Sequence, residues 1–224
     1  MMKILLSITG TESFDWASKL EEINKHKIDE VAIFLESFDK KERDNLYRLL
    51  LKSTIKTVPF VHLRDDVTKE EIQFFIDHFK TRHFNIHEEH FKKLDQWQGY
   101  WDKLYLEMNF DDELEKDVKV RKIGGFCIDL AHLKAAISRG TEEAAYFFNK
   151  KGDYDVACNH LNGYAPLEMK DIHLVKDLSA FDYLTTLPRD AFGKIIALEV
   201  YNSIEEQIKF RDHVSRLLEN YLLK

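Results

Sequence analysis

Gly124-Gly125-Phe126-Cys127-Ile128-Asp129-Leu130-Ala131-His132-Leu133 decides how the chain is read. A glycine pair opens an apolar run of strand type, and the run closes on Asp-x-x-His. The pattern predicts a strand that delivers Asp129 to its carboxyl end. A turn would then bring His132 to the same side. A carboxylate and an imidazole three residues apart at a strand end suit a shared or bridged divalent cation. Short motifs of this kind also arise by accident, so the weight falls on whether other strands end the same way.

Working outward, short apolar runs alternate with longer amphipathic segments from end to end. The strands predicted are Lys3–Thr9, Glu30–Glu36, Val58–Leu63, His83–His87, Lys103–Met108, Gly124–Leu130, Tyr154–Asn162 and Ile195–Val200. Helical spacing connects them. Trp16, Leu20 and Ile23 lie on one face of Glu12–Lys25, and Lys40–Lys52 carries Leu46, Leu49 and Leu50. Thr68 is placed to cap the next helix, with Glu70 and Glu71 in the first turn, where the helix dipole favours them. Further helices are expected over Phe91–Trp101, Asp111–Lys122, from His132 to Phe148 with Gly140 as a candidate break, Leu178–Leu187 and Ser203–Leu222. Gly163 to Lys176 is the one irregular connection, and such stretches often carry function. Strands joined by crossovers of helical length imply a parallel sheet. Eight such units most economically close into a single (β/α)8 TIM barrel over residues 1–224. A doubly wound open sheet is the competing arrangement, but it leaves unexplained why six strands end in metal-ligand types.

A closed barrel gathers all strand carboxyl ends at one face, where active sites of this architecture sit. His62, His87, Glu107, Asp129, His160 and Glu199 each lie at or next to the end of a different strand. His132 follows shortly after its strand. The irregular connection adds Asp171 and His173 as an Asp-x-His pair. For the fourth strand, His83 and His90 compete with His87. After the apolar runs, His160 and Glu199 need partners, because an unpaired buried charge is costly.

Composition bounds the rest. Only 3 prolines and 8 glycines argue against long flexible linkers. A net charge of −7 disfavours broad attraction to nucleic acid, although bound cations would add charge that a side-chain count omits. Cys127 and Cys158 both fall in apolar runs and read as buried free thiols of a reducing compartment. The first apolar run is too short for a secretory signal, and no run reaches membrane-spanning length. A cytoplasmic location is expected, with no membrane association and no feature that marks an obligatory protein partner.

The motifs Phe126-Cys127-Ile128-Asp129-Leu130-Ala131-His132, Asn159-His160-Leu161-Asn162, Asp171-Ile172-His173 and Ala197-Leu198-Glu199 resemble the xylose-isomerase-like TIM barrels. Within that superfamily they look most like endonuclease IV, the apurinic/apyrimidinic endonuclease family 2. That family orders its ligands as His, His, Glu, Asp-x-x-His, His, Asp-x-His, Glu around three zinc ions. The resemblance implies metal roles for His62, His87, Glu107, Asp129, His132, His160, Asp171, His173 and Glu199. Glu107 would bridge metals and act catalytically in phosphodiester hydrolysis, with abasic DNA as partner. The match is sharp from Phe126 to Glu199. It departs where the family's DNA-gripping loops belong: Thr9-Gly10-Thr11-Glu12-Ser13, Glu36-Ser37-Phe38-Asp39 and Leu174-Val175-Lys176-Asp177-Leu178 stand there. The sister branch, sugar isomerases and epimerases, implies fewer residues. Glu107, Asp129, His160 and Glu199 would surround one manganese, magnesium or cobalt ion. His132 would touch a small sugar or sugar phosphate, while Glu107 and Glu199 move protons. An arginine that those enzymes often carry after the seventh-strand histidine is missing from Leu161-Asn162-Gly163-Tyr164-Ala165-Pro166.

Overall fold

The computed structural model describes residues 2–10, 16–108 and 118–222. Eight parallel strands form the barrel. The first is split at Leu6 into Lys3–Leu5 and Ser7–Ile8. Glu30–Phe34, Thr57–His62, His83–His87, Leu104–Glu107, Phe126–Asp129, Val156–Leu161 and Ile195–Leu198 follow. Each pairs with its sequence neighbour, and Lys3–Leu5 pairs with the last strand.

The seam at the first strand is closed partly by side chains. Lys3–Leu5 bonds to Ile195–Ala197, whereas Ser7–Ile8 turns to Ala32–Ile33. Above Leu5 the last strand therefore lacks a backbone partner on that edge. The carboxamide of Gln207 substitutes for a peptide: it accepts from Ser7 N–H at 2.8 Å and donates to Ser7 C=O at 3.2 Å. Higher up, the Thr9 hydroxyl donates to Val200 C=O at 2.9 Å. Lys19 Nζ donates to that hydroxyl at 2.6 Å and to Val200 C=O at 2.9 Å. These bonds satisfy backbone groups that would otherwise be buried without partners.

Alternation along the strands separates two cores. Residues facing outward pack against the helices in one large cluster that includes Trp97, Phe126, Phe147 and Phe181. Residues facing inward form a small plug of Leu5, Ala32, Phe34, Phe60, Cys127, Cys158 and Ala197. Phe60, Cys127, Cys158 and Ala197 each lie two residues before His62, Asp129, His160 and Glu199. The ligand-type residues thus form the next inward layer, at the carboxyl ends. Register levels them: His87 stands opposite Glu107, and Asp129 opposite His160. Gly125 allows the sixth strand to enter this arrangement. Its φ is +132°, and an added Cβ would lie 2.4 Å from the Asp155 carbonyl oxygen.

The connections differ from expectation in three places. The segment expected as a helix over Phe91–Trp101 consists of 3-10 turns, Glu88–Trp97 and Trp101–Lys103. His90, Phe91, Leu94 and Trp97 are buried, and that spacing serves either helix type. The Trp97 indole is anchored by donating to Val67 C=O at 2.8 Å. Leu178–Thr186 is likewise 3-10 rather than α-helical. Within the connection read as irregular, Gly163–Ala165 and Lys170–Ile172 form a small antiparallel hairpin outside the barrel sheet. Most of the helix expected over Asp111–Lys122 lies outside the described residues, and Val120–Lys122 is a 3-10 turn. The helices Trp16–Lys25, Lys40–Leu50, Lys69–Phe79 and Ile204–Leu222 stand where hydrophobic spacing placed them. Thr68 caps Lys69–Phe79 as its position implied. No helix among the described residues is long and apolar enough to cross a membrane.

Candidate metal centre

Glu107 is the hub of the barrel mouth. The fifth strand ends on it, and it is 2% exposed. One carboxylate oxygen lies 3.0 Å from His62 Nε2 and accepts from Asn85 Nδ2 at 2.6 Å. The other lies 3.0 Å from His160 Nδ1, which is also 3.1 Å from a Glu199 carboxylate oxygen. Asp129 ends the sixth strand and caps the helix Leu130–Arg139, accepting from His132 N–H at 2.8 Å. Its second oxygen accepts from Asn162 Nδ2 at 3.1 Å. Asp-x-x-His is therefore a helix-capping geometry as well as a ligand spacing. The cap turns His132 back over the mouth, with Nε2 4.0 Å from Asp129.

Three groups among the described residues bring ligand atoms within 4.8 Å of one another. The first is Glu107, Asp129, His160 and Glu199; the second is His62, Glu107 and His160; the third is Glu36, His62 and His87. They place six of the nine residues singled out from sequence in one connected cluster. His132, Asp171 and His173 border it without joining a group of that tightness. His173 Nε2 lies 2.6 Å from Asp171, whose same oxygen is 3.9 Å from His132 Nε2. His173 is oriented from its other nitrogen, 3.0 Å from the Glu199 carbonyl oxygen, and its ring stacks on Tyr201.

On the fourth strand, His87 is the residue that faces the cluster. His83 sits at the opposite end of that strand, near Pro59 C=O and the Tyr105 ring. His90 accepts the His87 N–H.

Sequence reasoning missed Glu36, Asn85 and Asn162. Glu36 stood at the end of the predicted second strand, so the rule that selected Glu107 would have selected it too. Its carboxylate lies 3.4 Å from His87 Nε2 and 3.8 Å from His62 Nε2. The two asparagines gave no signal, since a carboxamide is not a typical ligand here; they hydrogen-bond Glu107 and Asp129 instead.

The electrostatics follow from burial and mutual charge. Burial alone would raise the Glu107 pKa, but the His160 and His87 charges and hydrogen bonding from His160 and His62 hold it well below the usual range. Burial raises Asp129, with the His132 charge opposing and those of Glu199 and Glu107 reinforcing. Beside His62 and His87, Glu36 falls to about 2. Burial opposes the imidazolium forms of His87, His132 and His173, yet neighbouring carboxylates lift each to about 9. His160 is raised by Glu107 and Glu199 against its burial. Protons on imidazoles thus balance a crowd of carboxylates, which is the charge a divalent cation would replace on binding.

The donor set fits such an ion. His160 is fully buried; its Nδ1 faces the Glu107 and Glu199 carboxylates, while its Nε2 has no hydrogen-bond partner among the described residues. His62 Nδ1 and His87 Nε2 share that condition. Buried polar atoms left this way call for an explanation, and mixed imidazole and carboxylate ligands suit zinc, manganese or magnesium.

Beside the cluster opens a cavity of about 330 Å³, lined by Thr9, Gly10, Phe34, Glu36, Ser37, Glu199 and Tyr201.

No protein-family model matches the sequence, and no curated protein matches it. Among solved structures it is similar to a D-tagatose 3-epimerase-like protein, with 14% identity and a TM-score of 0.55 over 99% of this chain and 98% of that one. SacUVDE aligns more loosely, with 15% identity and a TM-score of 0.46 over 97% of this chain and 99% of that one. The first likeness is one of fold: the chain is a TIM barrel with metal-ligand clusters at the carboxyl ends of its strands.

Proposed function

We propose that this protein is a divalent-metal-dependent isomerase or epimerase of a small sugar or sugar phosphate, working as one barrel domain in the cytoplasm. The observation that carries the reading is the group Glu107, Asp129, His160 and Glu199, which reaches the wall of a sugar-sized cavity through Glu199. Small-molecule sites are concave pockets of this order with a few convergent polar groups. The likeness to a D-tagatose 3-epimerase-like protein points the same way.

In this reading those four residues hold one manganese, magnesium or cobalt ion. When bound, such an ion polarises a neighbouring carbonyl and hydroxyl pair. Glu107 and Glu199 face each other across His160 and exchange the proton between adjacent carbons. Asn85 and His62 fix the Glu107 carboxylate, and Asn162 fixes Asp129. His132 touches the sugar from the border of the cluster, and the Ser37 hydroxyl positions it from the cavity wall. Phe34 and Tyr201 present apolar surface to its carbon face.

A second reading, phosphodiester hydrolysis with up to three zinc ions, is favoured by one observation. Glu36, His62 and His87, together with His132, Asp171 and His173, offer more ligand-type side chains than one ion uses. Glu107 would then bridge metals and orient the nucleophile, and abasic DNA would be the substrate.

Metal counting by anomalous scattering and elemental analysis distinguishes the two. One manganese, magnesium or cobalt per chain, with solvent deuterium entering a ketose, supports the isomerase. Three zinc ions, with chelator-sensitive cleavage of a duplex bearing one abasic site, overturns it.

A further inference from the structure

We infer that the hairpin after the seventh strand and the groove beside it form a self-complementary surface through which two copies of this chain pair about a two-fold axis. Four of the seven large hydrophobic residues exposed among the described residues fall within twelve positions: Leu167, Met169, Leu174 and Leu178. Leu167, at the hairpin tip, is 99% exposed. Scattered exposed apolar residues need no explanation, but a concentration of this kind marks an interaction site.

Next to the tip lies a cavity of about 1060 Å³, with Tyr164, Ile172, Leu174 and Tyr183 among its apolar walls. None of the residues in the three metal-ligand groups lines it. The hairpin both bounds this groove and projects beside it, so knob and hole belong to one face. A two-fold axis then lets each tip enter the other copy's groove, and the contact closes at two subunits.

Charge agrees with this occupant. The tip carries Glu168 and Lys170, paired with each other at 2.5 Å within one chain. That pair also borders its own chain's groove, which adds Lys134 and Lys176 of one sign and Asp177 and Asp182 of the other. An entering tip with one charge of each sign would meet charges of both signs there. A polyanion or an anionic lipid surface would meet the two aspartates unpaired.

The test is the solution mass of the full chain by light scattering and sedimentation, for the wild type, Leu167→Glu, Lys176→Glu, and Lys176→Glu with Glu168→Lys. The wild type is expected at the mass of two chains. Leu167→Glu should raise the dimer dissociation constant by about thirtyfold or more, as loss of a central anchor does, with an unchanged circular dichroism spectrum. Lys176→Glu should weaken pairing, and the double charge reversal should restore it. A wild type that stays at one chain mass at every concentration overturns the inference. So does a dimer indifferent to both single substitutions, which would place the contact on another face. Retention of a small ligand in the groove of a monomeric wild type would identify a ligand pocket instead.

Discussion

Replacing Lys19 by Met should change how stability depends on pH. Lys19 is 4% exposed and sits where the first and last strands part, bonded to Thr9 and Val200. Burial depresses its pKa from 10.5 to about 7, with Glu22 opposing. Below pH 7 the amine is protonated in the folded and unfolded chains alike, so the cost of burying its charge is constant and complete. Between about pH 7 and 10.5 the unfolded chain holds a proton that the folded chain has released. Stability therefore rises with pH through that window, by about 1.4 kcal/mol per pH unit, and levels off above it. The displacement from 10.5 to about 7 corresponds to about 5 kcal/mol as an upper bound. Met removes the titration and leaves every other ionisable group in place. Urea denaturation of both proteins at pH 7.5 and pH 9 isolates it. The wild type should gain about 2 kcal/mol on Lys19→Met between those two values. Parallel pH dependence in the two proteins would refute the depressed amine.

Three further outcomes are expected. Glu107→Gln should leave the barrel folded but weaken manganese binding by more than 100-fold in calorimetric titration, beyond the effect of losing an outer partner; unaltered affinity would remove Glu107 from the centre. Asn85→Leu should lower cation affinity by about 10- to 100-fold, because Glu107 loses the bond that orients it; equal affinity would make Asn85 a packing residue only. Gly125→Ala should destabilise by about 2–3 kcal/mol in urea, since a positive φ and a carbonyl oxygen 2.4 Å from the new Cβ act together; a change below about 0.5 kcal/mol, the size typical of neutral surface substitutions, would contradict the close approach.

The barrel was legible because its strands are short apolar runs bounded by turn residues, and because helices such as Ile204–Leu222 keep their apolar face in step. The level arrangement of His87 with Glu107 and of Asp129 with His160 could be expected only once a closed parallel sheet was assumed, since register is not written in any single strand. Glu88–Trp97 misled because buried side chains three and four apart suit both helix types. Lys19 was visible in principle: it follows Trp16 by three residues and precedes Ile23 by four, on the apolar face of its helix. A cation there reads as a surface residue until a buried acceptor such as Val200 C=O is located, and that acceptor lies 181 positions away. Glu36 escaped because the expected ligand order contained no carboxylate at the second strand. Asn85 and Asn162 escaped because they act through the residues they hold.

The hairpin that carries Asp171 lies outside the barrel sheet, whereas Glu107, Asp129 and His160 are built into the barrel wall and are at most 3% exposed. Folding of the barrel fixes the wall groups, while Asp171 rides on a hairpin outside the barrel sheet and His173 follows it, its carbonyl accepting from Tyr201 N–H. Such a division resembles a socket with an exchangeable fitting. Transplanting different residues between Gly163 and Ile172, with Asn162 and His173 kept, should alter which compounds are accepted while the barrel still folds, so new specificities could arise here, in evolution or in the laboratory, without renegotiating the barrel.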